Sequence, residues 1–238
     1  MARIYKSNNP NRGRCRLARA GEAACVLGAL AVVVCAVVYQ REYFLMLCLF
    51  CAAVFGVWLF QKRAAILQSG LAGEKAATKA LARLPHEYTV VCNVFLAKGE
   101  RRAEVDAMVV GPSGIFAVEV KNHAGSIVGD TEQKNWNQTR AVRGGAPIHK
   151  KMKNPVLQNR RQTDLMRDML RARGCGCPVI GCVYFANPHA RVHVNGPGVF
   201  TDADTLCRSI RKMPVKLSRQ EMAQALSILT GGRIEDAF

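Results

Sequence analysis

Three polar residues with the functional groups of a metal-assisted hydrolase occur close together in the chain: Asp106, Glu119 and Lys121. Two carboxylates held on neighbouring strands bind a hard divalent cation such as Mg²⁺ through oxygen. Such an ion polarises a phosphate ester and lowers the pKa of a bound water. A lysine ammonium on the same side can orient that water or stabilise developing negative charge. The residue types are therefore those that metal-assisted hydrolysis of a phosphate ester requires.

The segments that contain these residues are predicted to be neighbouring strands. The runs 88–96, 103–110 and 114–121 have strand character, with glycine-containing turns between them. A period of two places Glu119 and Lys121 on one face, and adjacent strands bring Asp106 to the same side of the sheet. The alternative is an ordinary salt bridge between Glu119 and Lys121 on a solvated strand face. Taken alone, these residues favour the salt bridge, which is a common pattern on strands.

Two predicted helices carry further polar candidates. Ser69 is a suitable N-cap for a helix to about residue 84, and Glu74 lies in line with its apolar stripe. Glu74 either faces the core or lies at the rim of the first turn, where the helix dipole favours a carboxylate. Asn154 and Pro155 open a second helix to about residue 173, because they supply an N-cap and a proline at the first helical position. Gln158 shares a stripe with apolar residues of this helix and is expected to face the sheet.

The rest of the chain predicts a mixed sheet flanked by helices. Glycine and proline at 144–147 indicate a loop, and residues 196–238 are expected to form a helical extension packed on the domain. This pattern is that of an α/β or α+β fold. The additional strands are predicted at 125–130, 133–139, 178–185, 191–195 and near 199, and the additional helices at 202–212 and 218–229.

The charge is strongly positive. The chain has 34 Lys and Arg against 17 Asp and Glu, a net +17. From Ala64 onward there are 25 basic and 15 acidic residues, a net +10. Such an excess favours a polyanionic partner, either nucleic acid or anionic lipid. A charge that only adds solubility remains the alternative.

The ten cysteines indicate a reducing compartment, because they lack the spacing of a disulfide framework or a zinc site. Cys175 and Cys177 lie near Cys182, but no fourth ligand accompanies them, so a structural zinc site is not favoured.

A hydrophobic block near the N-terminus predicts a transmembrane hairpin over residues 23–61, with helices at about 23–39 and 43–60. The second run would measure roughly 27 Å as a helix, close to the hydrocarbon thickness of a bilayer. A secretory signal fits loosely, but no clear cleavage site follows. A buried hairpin in a soluble core would rarely be apolar on all faces.

Flanking charges predict the orientation of this hairpin. Residues 1–22 are basic and are expected to be flexible, and Lys62 and Arg63 follow the block. In the connecting loop Arg41 is offset by Glu42. Because positive residues stay in the cytoplasm, both ends should face inward. We therefore expect a multi-pass protein of the inner (cytoplasmic) membrane with its globular domain in the cytoplasm.

The order of several short motifs resembles the nuclease-related domain family, NERD, within the PD-(D/E)xK superfamily of restriction-endonuclease-like folds. The resemblance spans roughly residues 70–185 and is expected to define a domain over 64–195. The motifs that carry it are Gly73-Glu74, Glu104-Val-Asp106, Gly114-Ile-Phe-Ala-Val-Glu119-Val-Lys121-Asn122, Gly125-Ser-Ile with Gly129, Trp136, and Asn154-Pro155-Val-Leu-Gln158.

This resemblance implies a role for each candidate residue. Asp106 and Glu119 would bind Mg²⁺ or Mn²⁺, and Lys121 would be the catalytic lysine. Glu74 resembles an acidic residue that supports the metal site, and Gln158 resembles a polar residue beside the active centre. The implied protein is a membrane-anchored, metal-dependent nuclease that acts on DNA, with RNA left open.

Two other functions fit the same sequence. One is a non-catalytic module that holds nucleic acid or a protein partner at the membrane through residues 23–60. The other is a membrane protein whose domain recognises anionic lipid. The sequence determines neither the oligomeric state nor whether cutting would be endonucleolytic or exonucleolytic.

Overall fold

A computed structural model describes residues 1–7, 9–39, 43–142, 144–214 and 216–234. The chain divides into two compact units, and each is described by itself. Asn9–Leu71 form a helical unit, whereas Met1–Asn8 and Ala72–Phe238 form a globular unit.

The helical unit consists of α1 (Pro10–Tyr39) and the larger part of α2 (Tyr43–Leu81). Both helices are long and apolar enough to cross a membrane, with a mean hydropathy of 2.4 in their most apolar windows. The side chains of those windows are not buried within the protein. The predicted loop residues Arg41 and Glu42 lie outside the described residues.

Helix α2 differs from the sequence prediction because it is continuous. Instead of ending near residue 60 and restarting at Ser69, it runs from Tyr43 to Leu81. The residues between 61 and 69 are mainly good helix formers and include no proline, so nothing interrupts the backbone hydrogen bonds. Ser69 is therefore an interior helix residue rather than an N-cap.

The N-terminal residues also differ from the expected flexible segment 1–22. Arg3–Lys6 form strand β1, and α1 begins at Pro10. Proline suits the first helical position, and Asn9 Oδ1 accepts a hydrogen bond from Asn11 N at 2.8 Å. Pairing with a distant strand orders β1, and local sequence patterns do not reveal such a partner.

The remaining elements belong to the globular unit, which also contains β1 and the end of α2. In chain order they are β2 (Thr89–Lys98), β3 (Arg101–Gly111), β4 (Gly114–Lys121), β5 (Gly125–Asp130), β6 (Asn135–Val142), β7 (Gly145–Lys153), α3 (Pro155–Arg171), β8 (Val179–Phe185), β9 (Ala190–Asn195), β10 (Val199–Phe200), α4 (Ala203–Lys212) and α5 (Arg219–Thr230).

Six strands form a mixed sheet in the order β1-β2-β3-β4-β8-β10. Strands β2, β3 and β4 are an antiparallel meander, and β1, β8 and β10 each run parallel to their neighbours. The predicted mixed sheet flanked by helices is confirmed.

Helices cover both faces of this sheet. On one face α3 and α5 bury Leu165, Met166 and Leu226 against β2, β3 and β4. On the other face, the end of α2 and α4 bury Leu81 and Ile210 against the same strands. Strand β4 is consequently buried on both sides over most of its length, which explains its apolar sequence.

A second, four-stranded sheet has the order β7-β6-β5-β9. Strand β7 replaces the loop predicted at 144–147, because its residues find antiparallel partners along β6. Trp136 is fully buried and stacks on Phe185 of the larger sheet. Gly129 is required beside it, since an added Cβ would lie 2.3 Å from a Trp136 ring carbon.

Candidate active site

Strands β3 and β4 separate at the point where the candidate acids lie. Their antiparallel pairing runs from Gly111↔Gly114 to Ala107↔Val118. One residue further, Asp106 Oδ2 accepts a hydrogen bond from the Val120 backbone N–H at 2.7 Å. The Asp106 carboxylate therefore takes a position that a β3 carbonyl would occupy in a continued ladder. This arrangement holds the carboxylate at the opening between the two strands.

Glu119, on β4, is a buried carboxylate with a donor on each oxygen. Its residue exposure is 2%. Lys121 Nζ donates to Oε1 at 2.5 Å, and Gln162 Nε2 donates to Oε2 at 2.7 Å. The Glu119–Lys121 ion pair exists, but burial of the carboxylate distinguishes it from a salt bridge on a solvated strand face.

Two glutamines of α3 contact this pair. Gln158 is exposed, and its Oε1 accepts a hydrogen bond from Lys121 Nζ at 3.1 Å. Gln162, four residues later on the same helix side, is 3% exposed and reaches Glu119 instead. The sequence prediction included Gln158 but missed Gln162. Their spacing of four residues was the available signal.

The Gln162 amide is fully hydrogen bonded. Besides Glu119, its Nε2 donates to the Glu104 carbonyl at 2.7 Å, and its Oε1 accepts from Asn159 Nδ2 at 3.0 Å. Asn159 Nδ2 also donates to the Ala117 carbonyl at 3.0 Å. These bonds tie α3 to β3 and β4, so the Gln162 donor has a fixed position relative to Glu119.

A glycine in β8 allows this close approach of α3. A Cβ added at Gly181 would lie 2.1 Å from Asn159 Oδ1. Only a residue without a side chain leaves room there for the buried Asn159 amide. Local packing on β8 thus helps to position the polar side of α3 over β4.

Glu74 approaches the site from the opposite helix layer. It is half-buried on α2, and its negative charge contributes to raising the pKa of Asp106. The preceding Gly73 makes the approach possible, because an added Cβ would lie 2.7 Å from Asn122 Cβ. Asn122 follows directly after β4. The Gly73-Glu74 pair thereby brings a third acidic side chain into the field of Asp106.

Burial and neighbouring negative charge dominate the electrostatics of Asp106. Burial, followed by the charge of Glu119, raises the pKa of Asp106 to about 7. The Val120 hydrogen bond and the charge of Lys121 act in the opposite direction. The carboxyl is therefore only partly ionised at neutral pH, and a bound cation would favour its ionised form.

The donor set suits a Mg²⁺ ion. Among the described residues, no three His, Cys, Asp or Glu side chains converge at ligand spacing, so protein ligands alone do not form a complete metal cage. Mg²⁺ commonly binds through one or two carboxylates and completes its shell with water and phosphate oxygens. Asp106 and Glu119 offer such a pair, and the pKa of Asp106 is raised by burial and then by the negative charge of Glu119, which a cation would offset. When bound, the ion would polarise a phosphate and lower the pKa of a water.

Lys121 lies where it can act on a substrate. Its side chain is 20% exposed and lies between the buried Glu119 and the exposed Gln158. The ammonium has three donor hydrogens and uses two in these bonds. Within the described part of the chain the third hydrogen makes no hydrogen bond, so it can contact a phosphate oxygen or a water. The arrangement can therefore bind and orient an anionic ester next to two carboxylates.

Comparison with known proteins gives two matches. Residues 69–186 match the model of NERD, the nuclease-related domain. A segment of 72 residues, 29% of the chain, is 36% identical to an uncharacterized protein of Bacillus anthracis and covers 34% of that protein. The chain thus spans about a third of the length of this relative. No solved structure gives a significant match. All five predicted site residues lie inside the family match. From this match, residues 69–186 belong to the nuclease-related domain family.

Proposed function

We propose that the chain is a membrane-anchored, divalent-metal-dependent nuclease of the PD-(D/E)xK type that hydrolyses phosphodiester bonds in DNA. The observation that carries this proposal is the convergence of Asp106, Glu119 and Lys121 where β3 and β4 separate. These are the groups that a metal-assisted attack on a phosphodiester needs.

Each residue has a distinct role in the proposed reaction. Asp106 and Glu119 bind Mg²⁺ or Mn²⁺, and Lys121 orients the attacking water or stabilises charge on the phosphate. Glu74 adds negative charge near Asp106 and supports cation binding. Gln158 holds the Lys121 ammonium, and Gln162 positions the Glu119 carboxylate.

The proposed substrate follows from charge and family. A net charge of +10 from Ala64 onward favours a polyanion, and the matching family is described as nuclease-related. Of the two nucleic acids we propose DNA, with RNA as the alternative tested in the same experiment.

The test uses the full chain in detergent with supercoiled plasmid DNA and, separately, a folded RNA. We expect cleavage of DNA with Mg²⁺ or Mn²⁺ and none with EDTA. Preferential cleavage of RNA would correct the substrate. No cleavage with either metal, from a folded protein that binds DNA, would reject the nuclease.

Membrane anchoring is the second part of the proposal. Residues 23–39 lie in α1 and residues 43–60 lie in α2, and the apolar windows of both helices are exposed and long enough to span a bilayer. The basic flanks favour an inner-membrane protein with both helix ends and the nuclease domain in the cytoplasm. Fusion of a cytoplasm-dependent reporter to either terminus should give signal at both ends, and a signal restricted to one end would contradict this topology.

One observation favours a second candidate, a non-catalytic nucleic-acid or partner-binding module. The 2.5 Å ion pair with Lys121 neutralises Glu119 within the protein, as a structural pair would do without any metal. Such a module would bind DNA with the same affinity in Mg²⁺ and EDTA, would show no turnover, and would tolerate Lys121→Ala. Mg²⁺-dependent cleavage that Lys121→Ala abolishes excludes it.

A further inference from the structure

The four-stranded sheet has one face in the core and one in solvent. Ile127, Trp136 and Met152 are buried on β5, β6 and β7 and define the inner side. The residues that alternate with them form the opposite side, because successive side chains of a strand point to opposite faces. We call it the outer face. Its members are Ser126, Val128, Asn137, Thr139, His149, Lys151, Lys153, Arg191 and His193, all exposed or half-buried.

Strand register arranges these residues in rows across the sheet. Each of two rows begins with a basic residue on β7 and ends with a basic residue on β9, and the four positions between them on β6 and β5 hold three polar residues and Val128. With strands about 4.8 Å apart, the two basic edges are separated by about 14 Å. The rows are Lys151–Asn137–Val128–His193 and His149–Thr139–Ser126–Arg191.

The cations of the outer face are available for a partner. None of the ion pairs formed within the described part of the chain involves Lys151, Lys153 or Arg191. Asp130 lies at the margin of this face, and its Oδ1 already accepts a hydrogen bond from Glu132 N. With its histidines neutral, the outer face including Asp130 has a net charge of about +2 and favours an anionic partner.

The outer face is connected to the candidate active site through a short segment. Lys121 ends β4, and Gly125 begins β5 after only three intervening residues. Gln138, on the inner side of β6, donates its amide to the Ala124 carbonyl at 2.8 Å and fixes this link to the sheet. A polyanion bound on the outer face therefore lies on a sheet that is attached directly to the strand of Glu119 and Lys121.

We propose that the outer face docks the sugar–phosphate backbones of duplex DNA. The assignment deepens the proposed function and rests on it for the identity of the substrate. Two cationic edges about 14 Å apart are close to the ~12 Å width of the B-DNA major groove, so they can contact both backbones. The amides and hydroxyls between them are groups that commonly bind phosphate and sugar.

A lipid surface fits the outer face less well. Surfaces that insert into a membrane interface combine cations with large apolar side chains. Within the nine residues that define the outer face, Val128 is the large apolar side chain, and amides and hydroxyls occupy most of the centre. This composition favours hydrogen bonding to a nucleic-acid backbone over insertion into a bilayer.

The test compares two triple variants of the full chain in zwitterionic nanodiscs, with EDTA present so that cleavage cannot affect binding. Lys151→Gln/Lys153→Gln/Arg191→Gln should bind a fluorescent duplex at least about tenfold more weakly, and the slope of log K against log salt should fall by about 3. The control Arg208→Gln/Arg211→Gln/Lys212→Gln removes the same charge from α4 and should stay near wild type. Equal affinity of the outer-face variant and wild type, or equal losses in both variants, would overturn the proposal.

Two further measurements separate this inference from its alternatives. Hydrogen exchange in β7 should slow on addition of duplex DNA; slowing that requires anionic lipid and not DNA would overturn the proposal and assign the face to the membrane. If the wild type does not cleave DNA but the outer-face variant loses DNA binding, the proposed nuclease activity is rejected and the proposed docking face is retained. If the wild type cleaves DNA and the outer-face variant binds DNA normally, only the proposed docking face is rejected.

Discussion

Gln162 donates its side-chain amide to Glu119 Oε2 at 2.7 Å, across the interface between α3 and β4. The same Nε2 bonds the Glu104 carbonyl of β3 at 2.7 Å. One glutamine therefore joins the strand of Glu119 to the strand that carries Asp106, and it fixes the orientation of a carboxylate that is almost inaccessible to solvent.

We predict that Gln162→Ala weakens metal binding at this site. Loss of the donor removes a buried hydrogen bond from Glu119 Oε2 and another from the Glu104 carbonyl, which should lower stability by about 1–3 kcal/mol. Loss of an outer-shell partner typically reduces metal affinity 10- to 100-fold. The Mg²⁺ concentration for half-maximal cleavage should rise accordingly. Gln224→Ala, on the exposed side of α5, is the control and should change neither quantity.

Asp106 predicts a pH dependence of metal binding. Its pKa is raised to about 7, and a metal ligand must be deprotonated. Mg²⁺ affinity should therefore fall as the pH drops through about 7, approaching tenfold per pH unit on the acid side. Titration of Mg²⁺ between about pH 6 and 8 checks this. An affinity that does not change over this range would contradict the assignment of Asp106 as a ligand.

The same pKa predicts that Asp106→Asn stabilises the metal-free protein. In the folded state Asp106 stays protonated up to about pH 7, whereas the unfolded chain releases this proton above the ordinary pKa of 3.8. The stability that the protonated carboxyl contributes to the folded state is therefore lost as the pH rises through about 7. Asparagine removes the charge and retains an acceptor for Val120 N–H. Above pH 7 the gain should be about 1–2 kcal/mol, after allowance for partial solvent screening, and it should shrink near pH 5. Thermal unfolding in EDTA measures it, and a lower melting temperature above pH 7 would refute it.

Gly73 and Gly70 offer a matched pair on α2. A Cβ at position 73 meets Asn122 Cβ at 2.7 Å, whereas a Cβ at position 70 meets no described atom within 4 Å. Gly73→Ala should therefore push α2 away from the end of β4, cost about 1–3 kcal/mol and reduce cleavage. Gly70→Ala should instead stabilise the helix by about 0.5–1 kcal/mol and leave cleavage unchanged. Equal behaviour of the two variants in unfolding and cleavage assays would show that the close approach at Gly73 is unimportant.

The sequence predicted correctly those strands that are marked by their own residue pattern and by flanking turn residues. The bounds of β4 and β5 agree with the predicted 114–121 and 125–130, because apolar alternation and flanking glycines mark both strands. Strand β7 was missed because Gly144, Gly145 and Pro147 indicate a turn, while the partners that make residues 145–153 a strand lie on β6. Strand β1 was missed for the same reason, since its partner β2 lies more than eighty residues away.

In the candidate site too, features set by nearby residues were predicted and features set by packing between distant segments were not. Period-two alternation was sufficient to place Glu119 beside Lys121. It could not indicate that β3 and β4 separate beyond Ala107↔Val118 or that Asp106 bonds a backbone N–H there. Gln162 was missed because a glutamine on a helix is usually solvated, and only the packing of α3 on β4 buries it.

The most direct measurement is DNA cleavage by the full chain as a function of Mg²⁺, for wild type, Glu119→Gln and the control Glu132→Gln. Glu132 is an exposed glutamate paired with Arg160 and distinct from the proposed metal ligands. Wild type and Glu132→Gln should cleave at the same Mg²⁺-dependent rate, and Glu119→Gln should be slower by at least about 10²-fold. Cleavage by folded Glu119→Gln at the wild-type rate would contradict the proposal that Glu119 and Asp106 form the metal-dependent centre of this domain.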